Sequence, residues 1–100
     1  MINHVVLFKL KKYQSESEKQ TQISRIEEAL LSLSGKIEAL KYIEVGINYD
    51  LATPSHDICL ITHFDSLDQL EAYRIHPEHL KVAELIGQHV VERAAVDFEF

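Results

Sequence analysis

Two stretches of this chain, "INHVVLFKL" at residues 2–10 and "ICLITHF" at residues 58–64, are the strongest constraint on its fold. In a β-strand, successive side chains point to opposite faces. In the first stretch His4, Val6, Phe8 and Leu10 share one face, and Val5 and Leu7 share the other. In the second, Ile58, Leu60 and Phe64 share one face, and Cys59, Ile61 and His63 share the other. Both are apolar on two sides, so each belongs inside a sheet covered on both faces. Two further segments alternate differently. Over about 41–48, Ile43, Val45 and Ile47 oppose Glu44 and Gly46. At the end of the chain, Val96, Phe98 and Phe100 oppose Ala95, Asp97 and Glu99. An apolar row on one side suits a sheet edge. The pattern therefore predicts two central and two edge strands.

Helical periodicity fills the intervals. After "SESE", Ile23, Ile26, Leu30 and Leu33 recur at spacings of three and four, which marks an amphipathic helix. Ser15 and Glu18 fit a capping box at its start. Gly35 stands where a helix end favours a left-handed residue. "NYDLATPS", residues 48–55, reads as a polar loop with turn chemistry at Pro54. Ser66 and Gln69 form a second capping box before a short helix over 67–74. Pro77 suits a first helical position and starts another helical piece, expected to run to about 92. It also holds His76 extended, because the residue before a proline is driven out of helical geometry. The order β-α-β-β-α-β predicts an α+β, ferredoxin-like fold with a four-stranded antiparallel sheet. Its helices cover one face only. Val5, Leu7, Cys59 and Ile61 remain on the other, and an apolar patch of that kind marks an interface. A homodimer with two sheets packed face to face, a dimeric α+β barrel, is expected.

With 100 residues the chain is read as one domain, 1–100. Cys59 is the only cysteine, so no internal disulfide and no cysteine metal cluster are expected; a small apolar filler is its expected role. The net charge is −6 and is unevenly spread. Through Lys41 there are seven basic and five acidic residues; after it there are three and eleven. No basic stripe suited to phosphates is present, and Lys9, Lys11 and Lys12 read as a solvated strand end. No apolar run approaches the ~20 residues needed to span a bilayer. The opening "MINHVVLFKLKK" places its charges after its apolar run, the reverse of a secretory signal. Nucleic acid and membrane are not expected partners, and a cytoplasmic location is expected. No Gly-rich phosphate loop or nucleophile elbow is found, and no cofactor is expected.

The chemistry concentrates in "YRIHPEH", residues 73–79. His79 is the third residue of the helix begun by Pro77, and the positive end of a helix disfavours a charged imidazolium. It shares a helical face with Val82, Ala83 and Ile86, so it should point to the core, where burial lowers its pKa further. A neutral imidazole is what a general base requires. Tyr73 ends the preceding helix and is placed to donate to a carbonyl or enolate oxygen. The alternative is that Tyr73 and His79 bond to each other or to backbone and pin the helix break. His4 lies on an otherwise apolar strand face, either as a satisfied core histidine or, if helices cover that face, as a neighbour of His79. His76 is expected to cap the helix or face solvent. A His76–His79 metal pair is disfavoured, because the proline breaks helical spacing and no third ligand is evident. His63 is assigned to the dimer interior, Arg74 to the surface, and Asp97 to an outward polar position; His56 and His89 carry no argument.

"HVVLFKLK" near the start, "YRIHPEH" after the third strand and "VDFEF" at the end resemble the stress-responsive A/B barrel domain family over essentially the whole chain. The resemblance implies the dimeric barrel fold. One plant branch, the olivetolic acid cyclases, closes a linear polyketide without a cofactor. There the tyrosine and last histidine of the signature are catalytic. These positions fall on Tyr73 and His79, and the early strand histidine falls on His4. The branch lines its pocket with aromatic rings on the first helix, whereas "QTQISRIEEAL" here has none. The polyketide substrate therefore does not carry over. Three functions stay open: a cofactor-free lyase, isomerase or cyclase acting next to a carbonyl; a non-catalytic module that binds a small apolar ligand or protects under stress; and a cofactor-free oxygenase, for which no diagnostic residue stands in the chain.

Overall fold

The computed structural model describes residues 1–52 and 54–100. Strand β1 spans Ile2–Leu10, helix α1 Glu16–Leu31, strand β2 Tyr42–Ile47 and strand β3 Ile58–Phe64. Helices α2, Leu67–Arg74, and α3, Pro77–Gly87, precede strand β4, Val90–Glu99. The sheet order is β2-β3-β1-β4, and all three pairings are antiparallel. The two strands that are apolar on both faces are thus the central ones, as the alternation predicts. His4, Val6, Phe8 and Leu10 of β1 and Ile58, Leu60 and Phe64 of β3 are buried under the helices. From α1, Ile23, Ile26 and Leu30 close the core. Burial of each such side chain is worth roughly 1.5–3 kcal/mol.

Caps set the helix boundaries. The extended Ser15 accepts the Glu18 N–H at 3.1 Å, and Ser66 accepts the Gln69 N–H at 3.2 Å. The apolar spacing runs on to Leu33, but α1 stops at Leu31; Leu33 lies in the following turns and is still buried. Gly35 takes φ +82°, with open space around its Cα. Its need is therefore backbone freedom rather than room. At the α2–α3 junction His76 is extended (φ −64°, ψ 134°), and Pro77 follows as the first helical residue. The His76 ring Nδ1 accepts the Glu78 N–H at 3.1 Å, so this histidine is a cap.

The end of α3 differs from expectation. The helix stops at Gly87, not near 92, and β4 begins at Val90. Val82, Ile86 and Val90 continue a helical spacing of four, which conceals the break. Pairing with β1 overrides it: Val90 lies opposite Leu10, after a register shift between Lys9 and Leu10, and the Lys11 N–H donates to the His89 carbonyl at 2.8 Å. His89, which carried no argument in sequence, is buried and bonds the Tyr13 hydroxyl at 2.6 Å. The loop expected over 48–55 is present apart from Thr53, which lies outside the described residues, as does any turn geometry that includes it.

The face opposite the helices carries Val5, Leu7, Cys59 and Ile61, as expected, and β4 extends it. Val96 lies opposite Val5 and Phe98 opposite Asn3. Val96, Phe98 and Phe100 are 61%, 45% and 58% exposed, a large apolar area for a single chain. His63 lies there between two rings, stacked on Tyr42 at 4.6 Å and tilted against Phe100 at 4.5 Å. Among the described residues no helix is long and apolar enough to cross a membrane.

Candidate functional site

Tyr73 stands one residue before the end of α2, and its side chain turns inward against Phe64, with ring centroids 4.9 Å apart. It is 1% exposed. Its hydroxyl is buried without a hydrogen-bond partner among the described residues. Such an orphan costs roughly 1–3 kcal/mol, and buried hydroxyls without partners are uncommon enough to need a reason. Burial pushes its pKa up to about 12. The group is therefore a protonated donor throughout the neutral range.

His79 is the third residue of α3 and its ring lies 4.4 Å from that of Tyr73, tilted by 46°. The two residues do not bond to each other. Instead His79 Nδ1 lies 3.0 Å from the Arg74 carbonyl oxygen. A carbonyl only accepts, so Nδ1 carries the hydrogen, and in the neutral ring Nε2 holds the free lone pair. Burial lowers the His79 pKa below the ordinary histidine value. The Arg74 carbonyl opposes this, while repulsion from the Arg93 and Arg74 guanidiniums, and from His4 in its protonated form, adds to the lowering. The pinning interaction foreseen as the alternative is present for His79 and absent for Tyr73. The backbone bond orients the histidine, and the tyrosine donor stays unused.

His4 is on the helix-covered face and is buried. Its Nδ1 bonds Asp97 Oδ1, directly opposite on β4. Arg74 reaches the other oxygen of Asp97 at 3.4 Å and also Glu71 at 3.7 Å. One expectation is corrected here. Asp97 is not a free outward position: pairing with β1 sets it beside His4 on the helix side. Arg74 is exposed, as expected, and in addition tethers Asp97 and holds His79 through its carbonyl. The chain Arg74–Asp97–His4 fixes the His4 ring and its tautomer. Sequence could not supply it, because Asp97 and His4 are 93 positions apart. The one available signal was register: pairing the last strand with the first sets the two side chains together.

His4, Tyr73 and His79 all line one cavity of about 230 Å³ between the sheet and the helices. Its wall is otherwise mainly apolar, with Val6 and Leu60 from the sheet, Leu30 from α1 and Val82 and Ile86 from α3. The first helix thus contributes an aliphatic residue where the plant cyclases use rings. The volume falls below the roughly 300–1,000 Å³ of pockets that hold drug-sized ligands. His63 lies on the other side of the sheet, and His56 is 3.9 Å from Glu92 at the protein's edge. Among the described residues no group of three or more His, Cys, Asp or Glu is arranged to hold a metal ion.

A four-stranded antiparallel sheet, helices on one face and a small cavity between the layers define a ferredoxin-like α+β domain. The family model for the stress responsive A/B barrel domain matches residues 2–100, and the chain belongs to that family. Comparison with curated protein sequences found no match. Among solved structures, the chain is similar to a dimeric protein of unknown function with a ferredoxin-like fold from Bacteroides fragilis. The identity is 35%, 99% of this chain and 95% of that one are covered, and the TM-score is 0.89. A dimeric ferredoxin-like protein of unknown function from Thermobifida fusca is 27% identical, over 99% and 90% of the two chains, with a TM-score of 0.83. A hydroxynitrile lyase from Passiflora edulis is 15% identical, over 97% and 90%, with a TM-score of 0.79; at that identity the likeness concerns the fold.

Proposed function

We propose that this single-domain chain works as a cytoplasmic homodimer and is a cofactor-free lyase or cyclase acting next to the carbonyl of a small molecule. The observation that carries the reading is the unpartnered Tyr73 hydroxyl beside a cavity that His79 also lines. Tyr73 donates to the substrate oxygen as charge develops there. His79 Nε2 takes the neighbouring proton as general base. His4, held by Asp97, forms a third polar wall. The hydroxynitrile lyase among the structural neighbours supports the reading only in that the same fold hosts a lyase. The mainly apolar lining favours one other function, a module that holds a small apolar ligand without turnover.

NMR titration of the histidine rings, with small ketones and aldehydes added, tests the reading. His79 should titrate below the ordinary value of about 6.5 and shift on ligand addition. Since the base form is required, activity should persist below that value and fall as pH drops through the lowered pKa. Stability has the same sign: with a folded pKa below the unfolded one, the contribution of His79 is full above about 6.5 and is lost on acidification through the folded pKa. A His79 that titrates at the ordinary value and ignores every carbonyl compound refutes the proposal. Conversion of a responding compound separates enzyme from binding module.

The homodimer rests on the open apolar face, and dimeric relatives at 35% and 27% identity support it. Ile61→Lys sets a charge in the middle of that face. Sedimentation equilibrium should show a dimer for the parent protein and a shift toward monomer, with lower solubility, for the variant. A parent protein that stays monomeric at micromolar concentration counts against the assembly, because the patch would then face water.

A further inference from the structure

Arg93 also lines the cavity. It comes from β4, opposite Phe8 of β1, so register places it on the helix-side face. Among the described residues it is the only lysine or arginine in the cavity wall, and no aspartate or glutamate stands there. Arg74, the other arginine of this region, is occupied by Asp97 and Glu71. Arg93 makes no ion pair or side-chain hydrogen bond with any described residue. A protein with a net charge of −6 thus carries, at the wall of a small, mainly apolar cavity and near the unpartnered Tyr73 hydroxyl, a guanidinium without an ion-pair partner among the described residues.

We infer that the ligand of this cavity is an amphipathic acid, with an apolar body, a carbonyl group and a carboxylate that pairs with Arg93. The inference rests on the carbonyl site proposed above and adds the class of compound it takes. Each part has a partner. Val6, Leu30, Leu60 and Ile86 receive the apolar body, and Tyr73 receives the carbonyl oxygen. Arg93 presents a planar fork of donors matched to a carboxylate. A neutral ligand would leave that fork in water, and a cationic one would be repelled by it.

The probes are 4-oxo-4-phenylbutanoate and its methyl ester, which keep the phenyl ring and the ketone and differ in charge. Binding is followed near pH 7.5 by shifts of the His79 and Tyr73 ring signals in the full chain and in Arg93→Gln. Arg93 is exposed, so the variant should melt at the parent temperature, which is checked first. The acid should bind the parent protein about tenfold or more tightly than the ester, as expected for a charge-assisted pair. In Arg93→Gln the preference should vanish while the affinity for the ester stays the same. Equal binding of acid and ester to the parent protein overturns the role of Arg93 and leaves the carbonyl site standing. A preference for the acid that survives in Arg93→Gln overturns it too. If neither compound moves Tyr73 or His79, the acid ligand and the carbonyl site fall together.

Discussion

Asp57→Ala should lower the free energy of unfolding by about 3–5 kcal/mol, the penalty typical of breaking a buried charge pair from one side. Asp57 is 3% exposed. One carboxylate oxygen accepts the Leu10 N–H at 2.8 Å, and the other meets the Lys19 ammonium, also at 2.8 Å. Lys19 comes from α1, Leu10 ends β1, and Asp57 leads into β3. The Asp57 N–H donates to the Phe8 carbonyl, and its own carbonyl accepts from Asn48. One side chain therefore ties the first helix to both central strands. Alanine leaves a buried N–H unpaired and, among the described residues, a half-covered ammonium with only the Leu51 carbonyl. Asp57→Asn keeps an acceptor for Leu10 and should recover part of the loss. Urea denaturation of the three proteins measures this; a cost below about 1 kcal/mol for alanine would show that the pair does not hold the layers together.

Tyr73→Phe should separate stability from function. The hydroxyl has no partner among the described residues, so its removal takes away a buried orphan and loses almost no packing. Stability should be unchanged or should rise, by up to about 1–3 kcal/mol. Turnover of a responding carbonyl compound should fall about 10²–10³-fold, the usual effect of deleting one donor to a developing oxyanion. His79→Ala should cost about 10²–10⁴-fold by removing the base. A structural tyrosine predicts the reverse for Tyr73→Phe: a loss of stability with ligand response intact. Melting curves and initial rates on the same preparations decide between the two. If the protein is a binding module, both variants lose affinity and no rate is ever seen.

The sheet order was legible in the sequence because alternation is local. Val5 and Leu7 opposite Val6 and Phe8 already require cover on both sides, and only a central strand receives it. Caps are equally local. Ser15, Ser66 and Pro77 each satisfy or anticipate a backbone requirement within three residues of themselves, so the helix starts follow from the residue order. The end of α3 did not follow, because Val90 fits the helix spacing and the strand equally well. The competition was settled by hydrogen bonds to β1, about eighty positions away.

The site divides along the same line. Tyr73 and His79 are six positions apart across a proline, and the sequence alone places one at a helix end and the other at a helix start, with His79 facing inward. It could not show which of them bonds the backbone and which is left free. That outcome depends on whether an acceptor lies within about 3 Å of each polar atom, and the packing of α2 and α3 on the sheet sets those distances. The same holds for Asp97, Arg93 and Asp57. Asp97 reads in sequence as an outward polar position on the last strand, and nothing in the sequence singles out Arg93 or Asp57. Strand register turns the first toward His4 and leaves the second unpaired at the cavity wall, and the packing of α1 buries the third against Lys19. Alternation and capping are written within a few residues. The pairing of charges is written only in the contacts between segments that the fold brings together.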